Sequence, residues 1–343
     1  MDFVFAGLPT RVIFGAGRIS EVKAEAQRLG MKRPLVITGK QQAALGKELA
    51  MSLGGVAFDG AVMHTPVAVT EQAMAIAGRE ATDGTISIGG GSAIGLGKAI
   101  AFRSDCPQVA VPTTYAGSEM TDILGETADG AKVTKRDQRI QPETVIYDPD
   151  LTATLPGSLA ATSGMNAIAH AVEALYAKDG NPVISLMAEE GIRALASSLP
   201  VISNARGDAL YGAWLCGTVL GQVSMALHHK LAHVLGGSFN MPHAETHTVI
   251  LPHAAAYNSA AAPQAMQRIA RALNAPSAPR GLFDLARHLK APTSLRELGF
   301  AQEDLFKAAD IAVANPYWNP RDITRDGILK LLQDAFHGGR PEA

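Results

Sequence analysis

Two cysteines in 343 residues, Cys106 and Cys216, leave no material for a disulfide framework, and they are too far apart in sequence to form a paired metal motif. They read as buried thiols of a reducing compartment. Neither sign of charge dominates. There are 30 basic and 32 acidic side chains, a net charge of −2 and no basic run, which disfavours nucleic acid and anionic membranes as partners. No apolar run reaches the roughly 18 residues that a membrane span requires. The opening MDFVFAGLPTRVIFGAG lacks the charged start, apolar stretch and cleavage site of a signal peptide. The expectation is a soluble, cytoplasmic protein.

What is present is an ordinary globular composition, 47% hydrophobic and 18% charged, at a length that suits two domains. The first 150 residues alternate short β-branched runs with amphipathic stretches. RVIFG (11–15), PLVIT (34–38), GTISIGGG (84–91), QVAVPTT (108–114) and TVIYDP (144–149) read as strands, while SEVKAEAQRLG and VTEQAMAIAGREA carry helical spacing. Buried strands separated by helices predict an α/β domain with a Rossmann-like parallel sheet, residues 1–155. From LTATLPGSLAATSG (151–164) onward the pattern is helical, which predicts an all-α domain over 156–343. Ligands of such sheets bind beyond the carboxyl ends of the strands, and a cleft between the two domains is the default active site.

Two polar loops follow predicted strands. GTISIGGGSAIGLGKAIA (84–101) runs strand, glycines, helix, so the amides of Gly89, Gly90, Gly91 and Ser92 could approach a pyrophosphate at a helix N-terminus. It matches neither G-x-G-x-x-G nor G-x-x-x-x-G-K-[ST], and a tight turn alone would also explain it. In VPTTYAGSEMTD (111–122), Thr113, Thr114, Ser118 and Thr121 could hold ribose, phosphate or nicotinamide, although loop capping also favours Ser and Thr. The pair of loops favours a dinucleotide.

Five of the ten histidines fall within residues 228–247. Asn166 and His170 are four apart on one predicted helix, and His229 and His233 share that spacing on another; His243 follows. Two side chains from one helix and two from a later segment could build a divalent metal site. His64 and His288 read as ordinary surface or hydrogen-bonded imidazoles, while His228, His247 and His253 stay open.

These motifs together resemble the iron-containing, group III alcohol dehydrogenase superfamily, whose architecture is shared with dehydroquinate synthase and glycerol dehydrogenase. The resemblance rests on RVIFGAGRI, GGGS at 89–92 with Lys98, VPTT at 111–114, DPDLTATLP and the paired histidines. It implies a nicotinamide nucleotide on the glycine loop and a metal held at the positions of Asn166, His170, His229 and His243, with His233 beside it. Here the family's ligand Asp is Asn166, its loop Asp is Gly95, and a lysine, Lys230, adjoins His229. Loss of the anionic ligand and a fixed cation nearby imply a site without metal.

HHKLAHVLGGSFNMPHAETHTVILPH, PTTYAGSEMT, SGMNAIAHAVEALYA and NPYWNPRDIT resemble a branch of that family that reduces the carbon–carbon double bond of maleylacetate to 3-oxoadipate in aromatic-compound degradation. The resemblance implies NADH or NADPH as cofactor and a homodimer. For this chemistry His243 or His233 is the expected proton donor, with His170, His229 and Lys230 anchoring carboxylate or enolate oxygen through protonated imidazole and ammonium. Asn166 releases the metal. Tyr115, Tyr317 and Arg321 are expected to contact substrate. Gly39, where NAD-selective relatives carry Asp, with Lys40 adjacent, predicts use of both cofactors. The alternatives are a metal-dependent alcohol or polyol dehydrogenase in which Asn166 coordinates through its carbonyl, and a cyclase or lyase that uses NAD only transiently.

Overall fold

Strands flanked by helices on both faces lose the polar alternation of a half-exposed sheet, and LVIT, TISIG, QVAVP and TVIY are buried along their whole length. In the computed structural model, which describes residues 3–128 and 131–342, they form the centre of a six-stranded parallel sheet. The strands are β1 (Arg11–Phe14), β2 (Leu35–Thr38), β3 (Val56–Phe58), β4 (Thr85–Gly89), β5 (Gln108–Pro112) and β8 (Thr144–Tyr147), ordered β1-β8-β5-β4-β2-β3. Two more, β6 (Ile123–Ala128) and β7 (Ala131–Arg136), pair antiparallel in a separate sheet. The chain divides into two compact units, 7–155 and 156–342, with residues 3–6 clustering with the second.

In the first unit successive strand residues serve opposite faces. Val36 packs with Ile86, Ile88, Val109 and Ile146 against α1 (Val22–Arg28) and α2 (Ala43–Leu53). Leu35 and Ile37 pack against α3 (Val67–Arg79) and α4 (Gly91–Ser104). β4 and β5 are neighbours, Gly89 opposite Pro112, so both polar loops leave the same edge of the sheet. Gly89 has φ +150°, and a Cβ on Gly90 would lie 2.9 Å from Thr114 Cγ2, so this crossing of the two loops requires glycine. The predicted strands and helices are all present. Sequence periodicity passes over β3, α2 and the β6–β7 pair.

The second unit is helical throughout its described residues: α5 (Gly157–Ala174), α6 (Pro182–Ser198), α7 (Arg206–Gln222), α8 (Leu227–Phe239), α9 (His243–Asn258), α10 (Pro263–Ala272), α11 (Ala278–His288), α12 (Leu305–Ala314) and α13 (Arg325–His337). α5 is apolar almost all round and therefore sits at the centre, against α6, α7 and α9. α8 packs on α9 through Leu231, Leu235, Val249 and Ile250. Asn181 caps α6 by accepting from Val183 N and Ile184 N, with Pro182 in the first turn. α13 starts at Arg325 under Thr324, whose side chain accepts from Gly327 N. No single described helix is long and apolar enough to cross a membrane. Both cysteines are free thiols, Cys216 buried as expected and Cys106 only half-buried.

Candidate active site

α5 carries Asn166, His170 and Glu173 at spacings of four and three, which place all three on one face of a buried helix. α8 presents His228, His229, Lys230 and His233, and α9 presents His243 and His247. These three helices bring six imidazoles together. His247 lies at the hub, its ring centroid 4.4 Å from that of His243, 4.9 Å from His228, 5.1 Å from His229 and 6.4 Å from His170. His170 Nδ1 is 2.8 Å from His229 Nε2, and His229 Nδ1 is 2.7 Å from Glu173 Oε2. His228 Nε2 lies 3.0 Å from the His247 carbonyl oxygen, to which it donates.

Glu173, absent from the sequence-level site, is fully buried and organises this corner. Ala226 N and His228 N each donate to it at 2.8 Å, and His229 N reaches it at 3.5 Å. Ala226 is the N-cap of α8 and has no side-chain cap of its own. A carboxylate from α5 thus closes the orphan amides of α8, where the helix dipole also favours negative charge. Burial raises the Glu173 pKa, and the backbone donors oppose that rise. The signal in sequence was a lone acidic residue three positions after His170 on an otherwise apolar helix.

Burial holds the inner imidazoles neutral. The His228 pKa is lowered to about 4, and those of His229 and His247 fall well below the usual histidine range, in each case mainly by desolvation. For His229 this corrects the expectation of a protonated imidazole, and Lys230 is the fixed cation beside it. Lys230 is half-buried, with Nζ 5.6 Å from the ring centroid of Tyr317, whose buried hydroxyl has no partner among the described residues. His243 is half-buried and His233 exposed, whereas His170, His228, His229 and His247 are buried.

The geometry also tests the family's metal. His228, His229 and His247 each bring one ligand atom within 4.8 Å of the others, and His170 closes on His229. Two nitrogens on one ion at about 2.1 Å would be about 3.0–3.4 Å apart. The 2.8 Å between His170 and His229 is a hydrogen bond, and the other nitrogen of His229 is bound to Glu173. Asn166 Oδ1 and both nitrogens of His247 are buried without a partner among the described residues. A neutral imidazole has one donor and one acceptor nitrogen, so these orphans call for a guest that both gives and takes hydrogen bonds, such as water or a substrate oxygen. A cation could answer only the acceptors. As arranged, these residues do not fit a divalent ion.

In the first unit Gly90, Gly91, Ser92, Thr114 and Ser118 are accessible at the carboxyl edge of β4 and β5, with Gly91 and Ser92 opening α4; Gly89 and Thr113 are buried. Lys98, buried on α4, donates to the carbonyls of Ser118, Thr121 (2.7 Å) and Ile123 (3.1 Å) and to Thr121 Oγ1 (3.0 Å). Desolvation lowers its pKa to about 7. A Cβ on Gly95 would meet Thr65 Oγ1 at 2.5 Å, so the Asp of the family pattern has no room here unless Thr65 moves.

Four expectations need correction. Thr121 is buried and its hydroxyl is taken up by Lys98, Ser118 O and Ile123 N, so it shapes the loop and does not offer itself to a nucleotide. Tyr115 is completely buried, its hydroxyl donating to Thr152 at 3.2 Å: a packed aromatic out of reach of a substrate. Arg321 stacks over Tyr257, 4.1 Å from its centroid, and donates to Tyr257 O. It lines a cavity of about 460 Å³ with His253, Lys330 and Asp334, away from the imidazole cluster. His229 has both ring nitrogens engaged by protein groups and cannot anchor a substrate oxygen. Beside Gly39, Lys40 Nζ pairs with Asp59 Oδ1 at 2.7 Å, a residue hidden from sequence reading because β3 was not recognised.

Residues 9–149 match the family described as iron-containing alcohol dehydrogenase, and residues 160–336 match its C-terminal counterpart, the Fe-containing alcohol dehydrogenase family. The maleylacetate reductase of Sphingobium indicum is 54% identical over 350 residues, with 99% of each chain covered. That of Burkholderia cepacia is 56% identical over 348 residues, again with 99% of each covered. The crystal structure of maleylacetate reductase from a Rhizobium species aligns with a TM-score of 0.95 at 50% identity, covering 99% of both chains. An iron-containing alcohol dehydrogenase from Corynebacterium glutamicum aligns at 0.94 with 39% identity, covering 99% of this chain and 98% of the other.

Proposed function

The chain belongs to the iron-containing alcohol dehydrogenase family, and from that premise we propose that it reduces the carbon–carbon double bond of maleylacetate to 3-oxoadipate with hydride from NADH or NADPH, without a bound metal. The observation that carries this reading is full-length identity above one half to maleylacetate reductases, joined to an imidazole cluster with neutral inner rings, with Asn166 where the family pattern has a carboxylate ligand, and with the Lys230 ammonium beside it.

Maleylacetate is a dianionic enone. Hydride from C4 of the nicotinamide adds to the alkene carbon β to the ketone, negative charge moves to the ketone oxygen as an enolate, and the α carbon takes up a proton. One NAD(P)H and one proton are consumed. A family member with metal would stabilise that oxygen with a Lewis acid. Here the Lys230 ammonium supplies the complementary potential and pairs with carboxylate. His243 or His233, the accessible imidazoles, is the proton donor of this scheme. Asn166 and the inner histidines hold the cluster neutral and hydrogen-bonded, and Tyr317 closes one side of Lys230. The amides around Gly90, Gly91 and Ser92 receive the pyrophosphate at the start of α4, with Thr114 and Ser118 beside them. The reading extends to a cytoplasmic homodimer, as the family resemblance implies; sedimentation of the purified protein checks the dimer.

The deciding experiment is NADH oxidation with maleylacetate by chelator-treated protein, against protein supplied with Fe²⁺ or Zn²⁺. Undiminished turnover after stripping is expected. Turnover only with added metal, or only on simple alcohols and aldehydes, would return the chain to metal-dependent alcohol dehydrogenases. Net consumption of NADH excludes a cyclase that uses the nucleotide only transiently.

A further inference from the structure

The cavity of about 460 Å³ in the second unit takes no part in the chemistry above, and its volume lies in the range of pockets that hold small metabolites. α9 contributes His253 and Tyr257, α13 contributes Lys330, Leu331 and Asp334, and Arg321 reaches in from the segment before α13. His253 is ten residues beyond His243 on α9, about 15 Å along the helix axis. The cavity is therefore separate from the imidazole cluster.

Its lining is specific about a guest. At the inner end His253 is 4% exposed, and its Nε2 has no partner among the described residues. Desolvation lowers its pKa to about 4, so a neutral ring offers that nitrogen as donor or acceptor, according to tautomer. At the rim Arg321 is exposed and stacked on Tyr257. Nη1 donates to Tyr257 O at 3.0 Å, and the guanidinium pairs with no carboxylate among the described residues. The other two lining cations are matched, Lys330 by Asp334 and Arg340 by Asp284 with Nε 2.9 Å from Oδ1. Between rim and floor, Ala256, Leu331 and Pro341 supply apolar wall. Asp334 and Glu342 also line the cavity and oppose a second negative charge.

We propose that this cavity is a second ligand site, for a monocarboxylate with an apolar body and a further oxygen. The carboxylate takes the unused N–H groups of Arg321, the body lies along Leu331 and Pro341, and the second oxygen meets His253 Nε2. A dianion fits less well, because one lining cation alone lacks a carboxylate. The site thus selects a guest of different charge from the substrate proposed for the imidazole cluster.

The probe is 4-hydroxyphenylacetate, titrated into the native protein in a calorimeter. One equivalent should bind with a Kd of about 1 mM or tighter, and phenylacetate, which lacks the hydroxyl, about fivefold more weakly. No saturable binding of either below about 10 mM overturns the proposal. Arg321→Gln should weaken the probe by about ten- to hundredfold, and Arg321→Lys, which keeps the charge without the fork, by less. His253→Leu should bring the two ligands within about twofold of each other. An undiminished preference for the hydroxyl compound overturns the proposal.

Lys230→Met locates the probe. It should leave binding within about twofold of wild type, since the two sites are distant. Loss of binding in Lys230→Met, with Arg321→Gln unaffected, would put the probe in the imidazole cluster and overturn the proposal. Melting curves check that each variant is folded; were Arg321→Gln to fail, Arg321→Lys and His253→Leu still decide. No readout depends on turnover, so failure of the maleylacetate assay would leave this site standing.

Discussion

His170 and His229 are joined by a hydrogen bond: Nδ1 of the first lies 2.8 Å from Nε2 of the second, on helices that meet at the centre of the second unit. Both belong to the set that the family pattern assigns to metal, and their union ties up a lone pair that a cation would need. The remaining member on α5 is an amide, Asn166, with an orphaned oxygen.

Restoring the carboxylate should restore metal affinity. Asn166→Asp is expected to carry stoichiometric Fe²⁺ or Zn²⁺ after dialysis, where the native protein carries little, and to lose about tenfold or more in maleylacetate turnover as an added negative charge opposes the enolate. Elemental analysis beside NADH oxidation reads both. A variant that takes up no metal would mean that the imidazoles, rather than the amide, exclude it.

Lys230 is the fixed cation of the cluster. Lys230→Met keeps the length and removes the charge, so it forfeits a charge-assisted hydrogen bond worth about 1.5–3 kcal/mol. The expected result is a fall of about 10- to 100-fold in kcat/KM for maleylacetate, with the KM for NADH unchanged. Steady-state kinetics with each substrate varied in turn checks it.

Buried neutral histidines make the fold sensitive to acid. The pKa of His253 is lowered to about 4 from 6.5, mainly by desolvation, and its Nε2 has no partner among the described residues. Between those values the unfolded chain binds the proton and the native state does not. The stabilisation is therefore complete above pH 6.5 and decays as pH falls toward 4, about 3 kcal/mol for a shift of this size. His228 behaves alike. His253→Leu should flatten the decline of urea-derived stability between pH 6.5 and 4 by about one proton, near 1.4 kcal/mol per pH unit; an unchanged slope would show that His253 titrates normally in the native state.

On the proposed function, cofactor choice is expected to turn on Lys40, exposed but held by Asp59, whose own pKa is lowered by that hydrogen bond and by Lys40 and Lys47. Native protein should use NADH and NADPH with comparable efficiency, and a thousandfold preference for NADH would contradict the reading of Gly39. Asp59→Asn releases Lys40 for a 2′-phosphate and removes a repelling charge, so the NADPH/NADH ratio of kcat/KM should rise by about tenfold.

Tyr115, once a candidate for substrate contact, is sealed in the first unit. Tyr115→Phe should cost about 1 kcal/mol of stability through the lost bond to Thr152 and leave kcat and KM within about twofold. A large rise in the KM for maleylacetate would reinstate it.

Much of this was legible in the residues themselves. Uninterrupted apolar runs such as LVIT and TISIG mark strands buried on both faces, and the change at 151–164 marks the turn to helices, because hydrophobic period follows local geometry. β3 escaped because VAF is three half-buried residues at a sheet edge, and with it went Asp59. Thr121 looked like a nucleotide ligand because a polar loop does not reveal which hydroxyls a buried lysine will claim.

The sequence by itself determined the classes of element, the family, and the pairing of Asn166 with His170 and of His229 with His233, since four-residue spacing on a helix is a property of the chain. Tertiary structure alone decided how those pairs are used. Protonation depends on burial, which no spacing discloses, and so His228, His229 and His247 became neutral beside the fixed cation of Lys230. The placement of Glu173 under the first turn of α8 required two helices, more than fifty residues apart in sequence, to meet before a capping carboxylate and a ring nitrogen could share one oxygen.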